Sequence, residues 1–328
     1  MSCKESRGAL EEPGETLRVL FFGSDEFALD PLAQLAESRH LLVGVVGKPD
    51  RPSGRGLKPL PTPVVDKARC MSLAVWQPER LEEARLREVI SGHEWDVGVV
   101  VAYGGLIPAC LLAMPPFGFV NVHPSLLPRY RGAAPVERAI MNGASITGIT
   151  TFKMNERFDA GDILLHREEP IYEDDTAGTL RQRLGCMGAT LLVETLDGLE
   201  MGSIEAVPQE EEKATAAPPI KSEEGNIDWR QPAENLDRLV RAFNPEPGAY
   251  TFFRGKRIKI WSTRVTDVPQ ENEPGAIQNM GKEGFLVNTG SSCLQTVLLQ
   301  PEGKSRMGAA EFSRGQRITS SESFTREP

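Results

Sequence analysis

The chain of 328 residues lacks several things that would each have pointed to a class of protein. No apolar run approaches the eighteen or more residues of a membrane helix, so no membrane partner is expected. The five cysteines, Cys3, Cys70, Cys110, Cys186 and Cys293, are odd in number and scattered, with no C-x-x-C pair. That argues against a disulfide framework and a zinc site, and it fits a reducing compartment. No other cluster has metal-ligand spacing, so no metal is expected. After the first apolar run, Phe21-Phe22-Gly23-Ser24-Asp25 offers one glycine where a dinucleotide fingerprint needs three, so a nucleotide cofactor is not expected either. Ser24 or Asp25 there reads as a helix N-cap. The first residues carry Glu5, Glu11, Glu12 and Glu15 without an apolar h-region, unlike a secretory signal or an Arg-rich transit peptide. Residues 1–16 read as a disordered tail.

Basic charge is also scarce. Lys and Arg number 37 against 46 Asp and Glu, a net charge of −9, which disfavours a nucleic-acid partner. The distribution qualifies this: residues 215–328 hold 15 basic and 14 acidic side chains, leaving 22 against 32 in the first 214. The cluster Arg254, Lys256, Arg257 and Lys259 reads equally as a basic contact surface and as the solvated face of one strand.

What is present is alternation. The length exceeds what one core usually holds, so two domains are expected. Short β-branched or aromatic runs at 17–22, 41–46, 97–102 and 119–122 read as strands. Helical spacing occupies 26–38, 81–91, 135–142 and 177–199, the last ended by Gly202. The pattern predicts an α/β domain, Rossmann-like, with a mainly parallel sheet covered by helices on both faces, over residues 17–205. Residues 206–220, with Glu210 to Lys213, several alanines and Pro218-Pro219, read as a linker. One helix at 233–243 and short strands at 249–253, 258–262, 284–288 and 295–299 then predict a small β-barrel over 221–318, followed by a tail at 319–328.

The stretch Asn121-Val122-His123-Pro124-Ser125-Leu126-Leu127-Pro128 is the most informative. Side chains alternate along a strand, so Asn121 and His123 share a face while Val122 turns to the core. A polar pair beyond a strand's carboxyl end is where open α/β sheets put their sites. Pro124 and Pro128 stiffen the exit, which should leave the loop's amides and carbonyls free for a ligand. A lone histidine at a strand end is commonly structural, but the other three, His40, His93 and His166, sit in ordinary helix-end or strand surroundings. Asp159, in the turn Arg157-Phe158-Asp159-Ala160-Gly161-Asp162, could return a carboxylate to the imidazole, as the orienting acid of a triad does. Asp162 reads as the end of that turn. Gly104-Gly105 reads either as turn punctuation or as a pocket wall.

These residues together resemble the formyltransferases that use 10-formyltetrahydrofolate. The resemblance covers nearly the whole chain, including Arg18 to Ser24, Pro49 to Gly56, Ala102-Tyr103-Gly104, Arg131 to Pro135, Ile227-Asp228-Trp229, Arg241 to Pro245 and Leu299 to Lys304. The Arg-Pro-Ser-Gly-Arg-Gly loop and the Arg-Ala-Phe-Asn-Pro segment are similar to the methionyl-tRNA branch of that family. Tyr130, where tryptophan is frequent, and the doubled glycine at 104–105 depart from the common bacterial pattern.

The resemblance implies formyl transfer from 10-formyltetrahydrofolate to the amine of initiator methionyl-tRNA by a monomer, and an OB-like C-terminal domain that binds tRNA. It makes Asn121, His123 and Asp159 catalytic: donors to the tetrahedral oxyanion, and a carboxylate that fixes the imidazole or takes the amine's proton. It puts the folate along Ser125, Leu126, Leu127 and Pro128 and against Val101 and Tyr103. It gives Arg51, Arg55 and Lys58 to the tRNA acceptor arm, where a mobile solvated loop is the alternative. The expected setting is the bacterial cytoplasm, with a mitochondrial matrix or plastid left open. Transfer to a sugar-nucleotide amine or to glycinamide ribonucleotide, hydrolysis of the formyl-folate, and a non-catalytic RNA-binding module are the rival readings.

Overall fold

The computed structural model describes residues 16–53, 58–81, 93–280, 284–320 and 322–328. Strand β1 (Arg18–Gly23) lies near the middle of a seven-stranded sheet, with β2 (Leu41–Val46) on one side. A small antiparallel hairpin, β3 (Arg51–Ser53) and β4 (Lys58–Leu60), stands outside that sheet. Strand β5 (Val75–Trp76) forms one edge beside β2; β6 (Val97–Val101) and β7 (Phe119–His123) follow on the other side of β1. These five strands are parallel. Their near-continuous apolar runs reflect burial on both faces: Val19 and Phe21 turn to one, Leu20 and Phe22 to the other, all fully buried.

Two further strands, β8 (Ile146–Lys153) and β9 (Ile163–Pro170), extend the sheet antiparallel beyond β7. Sequence reading does not find them: β9 exposes His166 to Glu168 and buries little, and β8, though almost wholly buried, carries Thr147, Gly148, Thr150 and Thr151 among its apolar residues. Helices α1 (Leu29–Glu37) and α2 (Pro63–Cys70) precede α3 (Pro135–Met141) and the long α4 (Ala177–Glu200), which packs on α1, β8 and β9. Thr176 and Thr179 close a capping box at the start of α4, satisfying amides that a helix N-terminus leaves free. The expected helix at 81–91 falls almost wholly outside the described residues. Among the described residues, no helix is long and apolar enough to cross a membrane.

Residues 207–217 run back over the first sheet's outer loops. Val207 bridges Ile163, and Arg131 exchanges backbone bonds with Thr215 and Ala217. Helix α5 (Ala233–Ala242) then docks on α3. A curled antiparallel sheet follows in the order β10 (Ala249–Phe253), β11 (Lys256–Val265), β14 (Cys293–Pro301), β13 (Phe285–Asn288), β12 (Ile277–Met280), with β15 (Met307–Gly308) beside β14 and helix α6 (Ala309–Gln316) next. The last residues are not a loose tail: Thr325 bridges Phe252 on one edge and Ser323 bridges Ala276 near the other. This segment spans the gap between β10 and β12, with Phe324 between the rings of Trp229, Phe253 and Phe285. The sequence reading missed this because a single buried aromatic has no period to betray it. Truncating Phe324 to alanine is expected to cost about 3–5 kcal/mol by the cavity it leaves, read by denaturant unfolding of the full chain. A cost near zero would make the terminal segment peripheral to the barrel.

Candidate active site

The chain crosses from one half of the parallel sheet to the other between β1 and β6, and beyond the carboxyl ends of these strands lies a cleft of about 530 Å³. Its walls come from Asp25 and Phe27 after β1, from Val100 in β6 and 102–107 after it, from 121–124 at the end of β7, and from 154–159 after β8. Asp25 caps the turn after β1, its carboxylate accepting from the Phe27 amide at 2.9 Å, and it pairs with Arg181 at 2.7 Å.

Asn121 and His123 share the face of β7 that lines this cleft, while Val122 turns to the core. Among the described residues, the Asn121 side chain has no protein partner. The imidazole is buried, and its Nε2 lies 2.9 Å from the Tyr130 carbonyl oxygen. A carbonyl only accepts, so Nε2 carries hydrogen and the neutral ring keeps its lone pair on Nδ1. Nδ1 is 3.8 Å from Asp159 Oδ2, too far for a hydrogen bond, and Oδ2 instead accepts from the Gly132 amide at 2.8 Å. The carboxylate therefore faces the ring without fixing its tautomer, a task that falls to Tyr130. Tyr130 (φ 60°) and Asp159 (φ 48°) both adopt left-handed backbone, a strain of about 1–3 kcal/mol each that surrounding bonds must offset. Only the main chain of Tyr130 makes this contact, so its side chain takes no part in it.

The folate-binding set expected from sequence is only partly brought to the cleft. Tyr103 lines it, and burial pushes its hydroxyl up to about 12, so it stays neutral across the physiological range. Val101 does not: alternation along β6 buries Val101 on the helical side of the sheet and gives Val100 and Ala102 to the cleft. The loop Ser125, Leu126, Leu127, Pro128 is not held open either. Ser125 Oγ donates to the Arg129 carbonyl, Thr150 Oγ1 donates to the Ser125 carbonyl at 2.7 Å, and Leu127 N–H donates back to Thr150 Oγ1 at 3.1 Å. Its polar groups are spent against β8, Arg129 and Thr215, and none of its side chains lines the cleft. Gly104 and Gly105 do form a wall, beside Leu106 and Ile107, which sequence reading left unassigned.

On the β3–β4 hairpin Arg51 is exposed and Lys58 opens β4, while Arg55 lies outside the described residues. In the C-terminal sheet Arg254 pairs with Glu322, Arg257 stacks on Tyr250 at 3.6 Å from the ring centre, and Lys259 donates to the Pro247 carbonyl. That cluster is engaged within the barrel to a degree that charge alone did not disclose.

Similarity to known proteins follows the same division. A family model described as formyl transferase matches residues 17–196, and one described as formyl transferase, C-terminal domain, matches 219–317. The methionyl-tRNA formyltransferase of Agathobacter rectalis is 40% identical over 94% of this chain and all of its own length. That of Roseiflexus castenholzii is 43% identical over 94% of this chain and 98% of its own. Among solved structures, HypX from Aquifex aeolicus in complex with tetrahydrofolic acid has the same fold (TM-score 0.64, 18% identity, 91% of this chain); this chain spans 47% of that one. An N-formyltransferase from Helicobacter canadensis, solved with folinic acid and dTDP-3-aminofucose, aligns over 88% of this chain and all of its own (TM-score 0.65, 16% identity).

The tie between the Ser125 loop and β8 generates a test. Thr150→Val removes the hydroxyl that serves both Ser125 and Leu127 and strands two buried backbone groups. A loss of at least about 1–3 kcal/mol is expected in chemical denaturation. An unchanged midpoint would show that the loop does not depend on Thr150.

Proposed function

This chain belongs to the formyltransferase family, and from that premise we propose that it transfers a formyl group from 10-formyltetrahydrofolate to the free α-amine of initiator methionyl-tRNA, giving N-formylmethionyl-tRNA for translation initiation. The names of its relatives support the acceptor. The observation that carries the chemistry is the unpartnered amide of Asn121 beside a histidine whose Nε2 is already committed to the Tyr130 carbonyl.

In this reading the methionyl nitrogen attacks the formyl carbon and the formyl oxygen becomes an oxyanion. Asn121 donates to that oxygen, and such a donor is worth most in a water-poor cleft where it is already oriented. With Nε2–H occupied, the acceptor that His123 has left is Nδ1. It takes the proton released by the amine, and the charge so formed lies against Asp159, 3.8 Å away. When the carbon–nitrogen bond to the folate breaks, the same proton goes to the departing N10. The atoms balance: one amide forms, one breaks, and tetrahydrofolate leaves.

Tyr103, Val100, Ala102 and Gly104 to Ile107 offer a flat, mostly apolar wall suited to the pteridine. Arg51 and Lys58 on the hairpin, with Arg55 of the same sequence segment, and the C-terminal barrel take the tRNA. The reading has the chain act as a monomer, in the bacterial cytoplasm or an organelle's matrix.

Formylation of charged initiator tRNA, assayed beside charged elongator tRNA and beside formate release without tRNA, tests the reaction. Transfer to the initiator is expected, and formate release alone would make the chain a hydrolase. Asn121→Ala and His123→Ala should each lower turnover by at least ~10²-fold, the scale for one oxyanion donor or one general base. Near-normal turnover of Asp159→Ala would remove that residue from the mechanism.

Arg55→Ala should raise the KM for tRNA and spare the folate KM. That loss should shrink at high salt, where phosphate contacts are already weak. Equal kinetics at low and high salt would take the loop out of tRNA binding.

A further inference from the structure

We propose that Gln209 is a positioning residue for this reaction, holding the Asp159 turn and the Tyr130–Gly132 backbone in the arrangement that sets the carboxylate against His123. The proposal rests on the formyl-transfer reading for its function, and on geometry for the contacts.

Gln209 lies in the segment between the two domains, yet all four of its side-chain hydrogen-bonding positions are spent on the cleft's outer frame. Its Nε2 donates to the carbonyls of Asp159 (2.9 Å) and Gly161 (2.7 Å). Its Oε1 accepts from Arg131 Nε (3.0 Å) and Nη2 (2.8 Å). Carbonyls only accept and a guanidinium only donates, so the amide cannot be flipped without losing every one of these bonds.

These bonds close a ring. From Asp159 the path runs through its main-chain carbonyl to Gln209, to Arg131, to the neighbouring Gly132 amide, and back to Asp159 through Oδ2. The side chain and the main chain of Asp159 are thereby tied to one stretch of backbone, and that stretch begins with the carbonyl that fixes His123. The peptide unit between Tyr130 and Arg131 gives its C=O to His123 and its N–H to the Thr215 carbonyl at 2.8 Å. Thr215 Oγ1 also accepts from the Tyr130 amide at 2.8 Å.

Two left-handed residues of the site, Tyr130 and Asp159, are therefore held by residues 209–215. The turn is braced on its other side by Gly161, where a Cβ would run into the Lys153 carbonyl. Gln209 supplies the brace from the open side. Glu211 adds ion pairs to Arg131 (2.9 Å) and Arg157 (2.6 Å), and these two guanidiniums, Arg131 first, hold its carboxyl below the usual range. Those pairs are solvent-exposed and weak.

The test uses the full-length chain with Gln209→Ala and Gln209→Glu. The glutamate keeps oxygens for Arg131 but cannot donate to Asp159 and Gly161, so it isolates the donor half and guards against simple loss of folding. Both variants should lower kcat roughly 10- to 100-fold, the scale of a misplaced catalytic group, with KM for folate and for tRNA within about twofold. In an Asp159→Asn background the same substitutions should add less than about twofold, because a residue that acts through Asp159 has nothing left to position. Hydrogen exchange at 157–162 and 129–132 should quicken in both variants while β1 and β6 stay protected.

Equal losses in the two backgrounds, or wild-type kcat in Gln209→Glu, would overturn the proposal. Unchanged exchange in the turn would overturn it whatever the substrate. A wild-type chain that transfers no formyl group would sink the functional reading instead, and the exchange measurement would still decide whether Gln209 holds the turn.

Discussion

The hydrogen bond from His123 Nε2 to the Tyr130 carbonyl is made where the backbone is left-handed at Tyr130, and much of the chain around the cleft keeps it there. Without that bond the buried ring would have no fixed tautomer, and burying an imidazole with an unpaired N–H is costly. With it, one nitrogen is committed as a donor and the other is left as an acceptor facing Asp159. The chemistry available to His123 is thus set by a main-chain atom seven residues downstream. The Ser125–Pro128 loop serves the same end, because Thr150 pins it to β8 and so fixes the path by which the chain reaches Tyr130.

What was legible in the sequence followed from periodicity. The parallel strands announce themselves because burial on both faces demands unbroken apolar runs, and the two-residue alternation of β7 puts Asn121 and His123 on one face and Val122 in the core. Alternation also explains an error: Val101 has the wrong parity for the cleft, and its neighbours Val100 and Ala102 line it instead. The hairpin of β8 and β9 escaped because the edge strand β9 has a solvated face and little apolar signal, while the buried β8 mixes threonines and a glycine among its apolar residues.

The interactions that orient the site were not legible, since they run through backbone atoms and through residues distant in sequence. Nothing in Tyr130 as a residue type says that its carbonyl will meet a histidine. Nothing in a Gln among glutamates says that it will close a ring around Asp159. Equally, Ser125 looked available for a ligand because a loop's bonding pattern cannot be read from its proline content. Phe324 is a similar case at the other end of the chain: its partners Trp229, Phe253 and Phe285 lie far apart in sequence and meet only when the barrel closes.

The segment that read as a linker makes the strongest case for contacts over composition. Its glutamates, alanines and paired prolines describe a solvated connector, and much of its surface is solvated. Yet Val207, Gln209, Glu211, Thr215 and Ala217 each bond to the first domain around the cleft. A connector that also braces a site cannot be cut to separate the domains without disturbing the site. By its contacts, the segment 207–217 between the two domains is bound to the first. The same arrangement ties the C-terminal barrel to the cleft: any pull that the barrel exerts on Pro218 acts next on the backbone bonds between Ala217, Thr215 and Arg131, one peptide away from the carbonyl that holds His123.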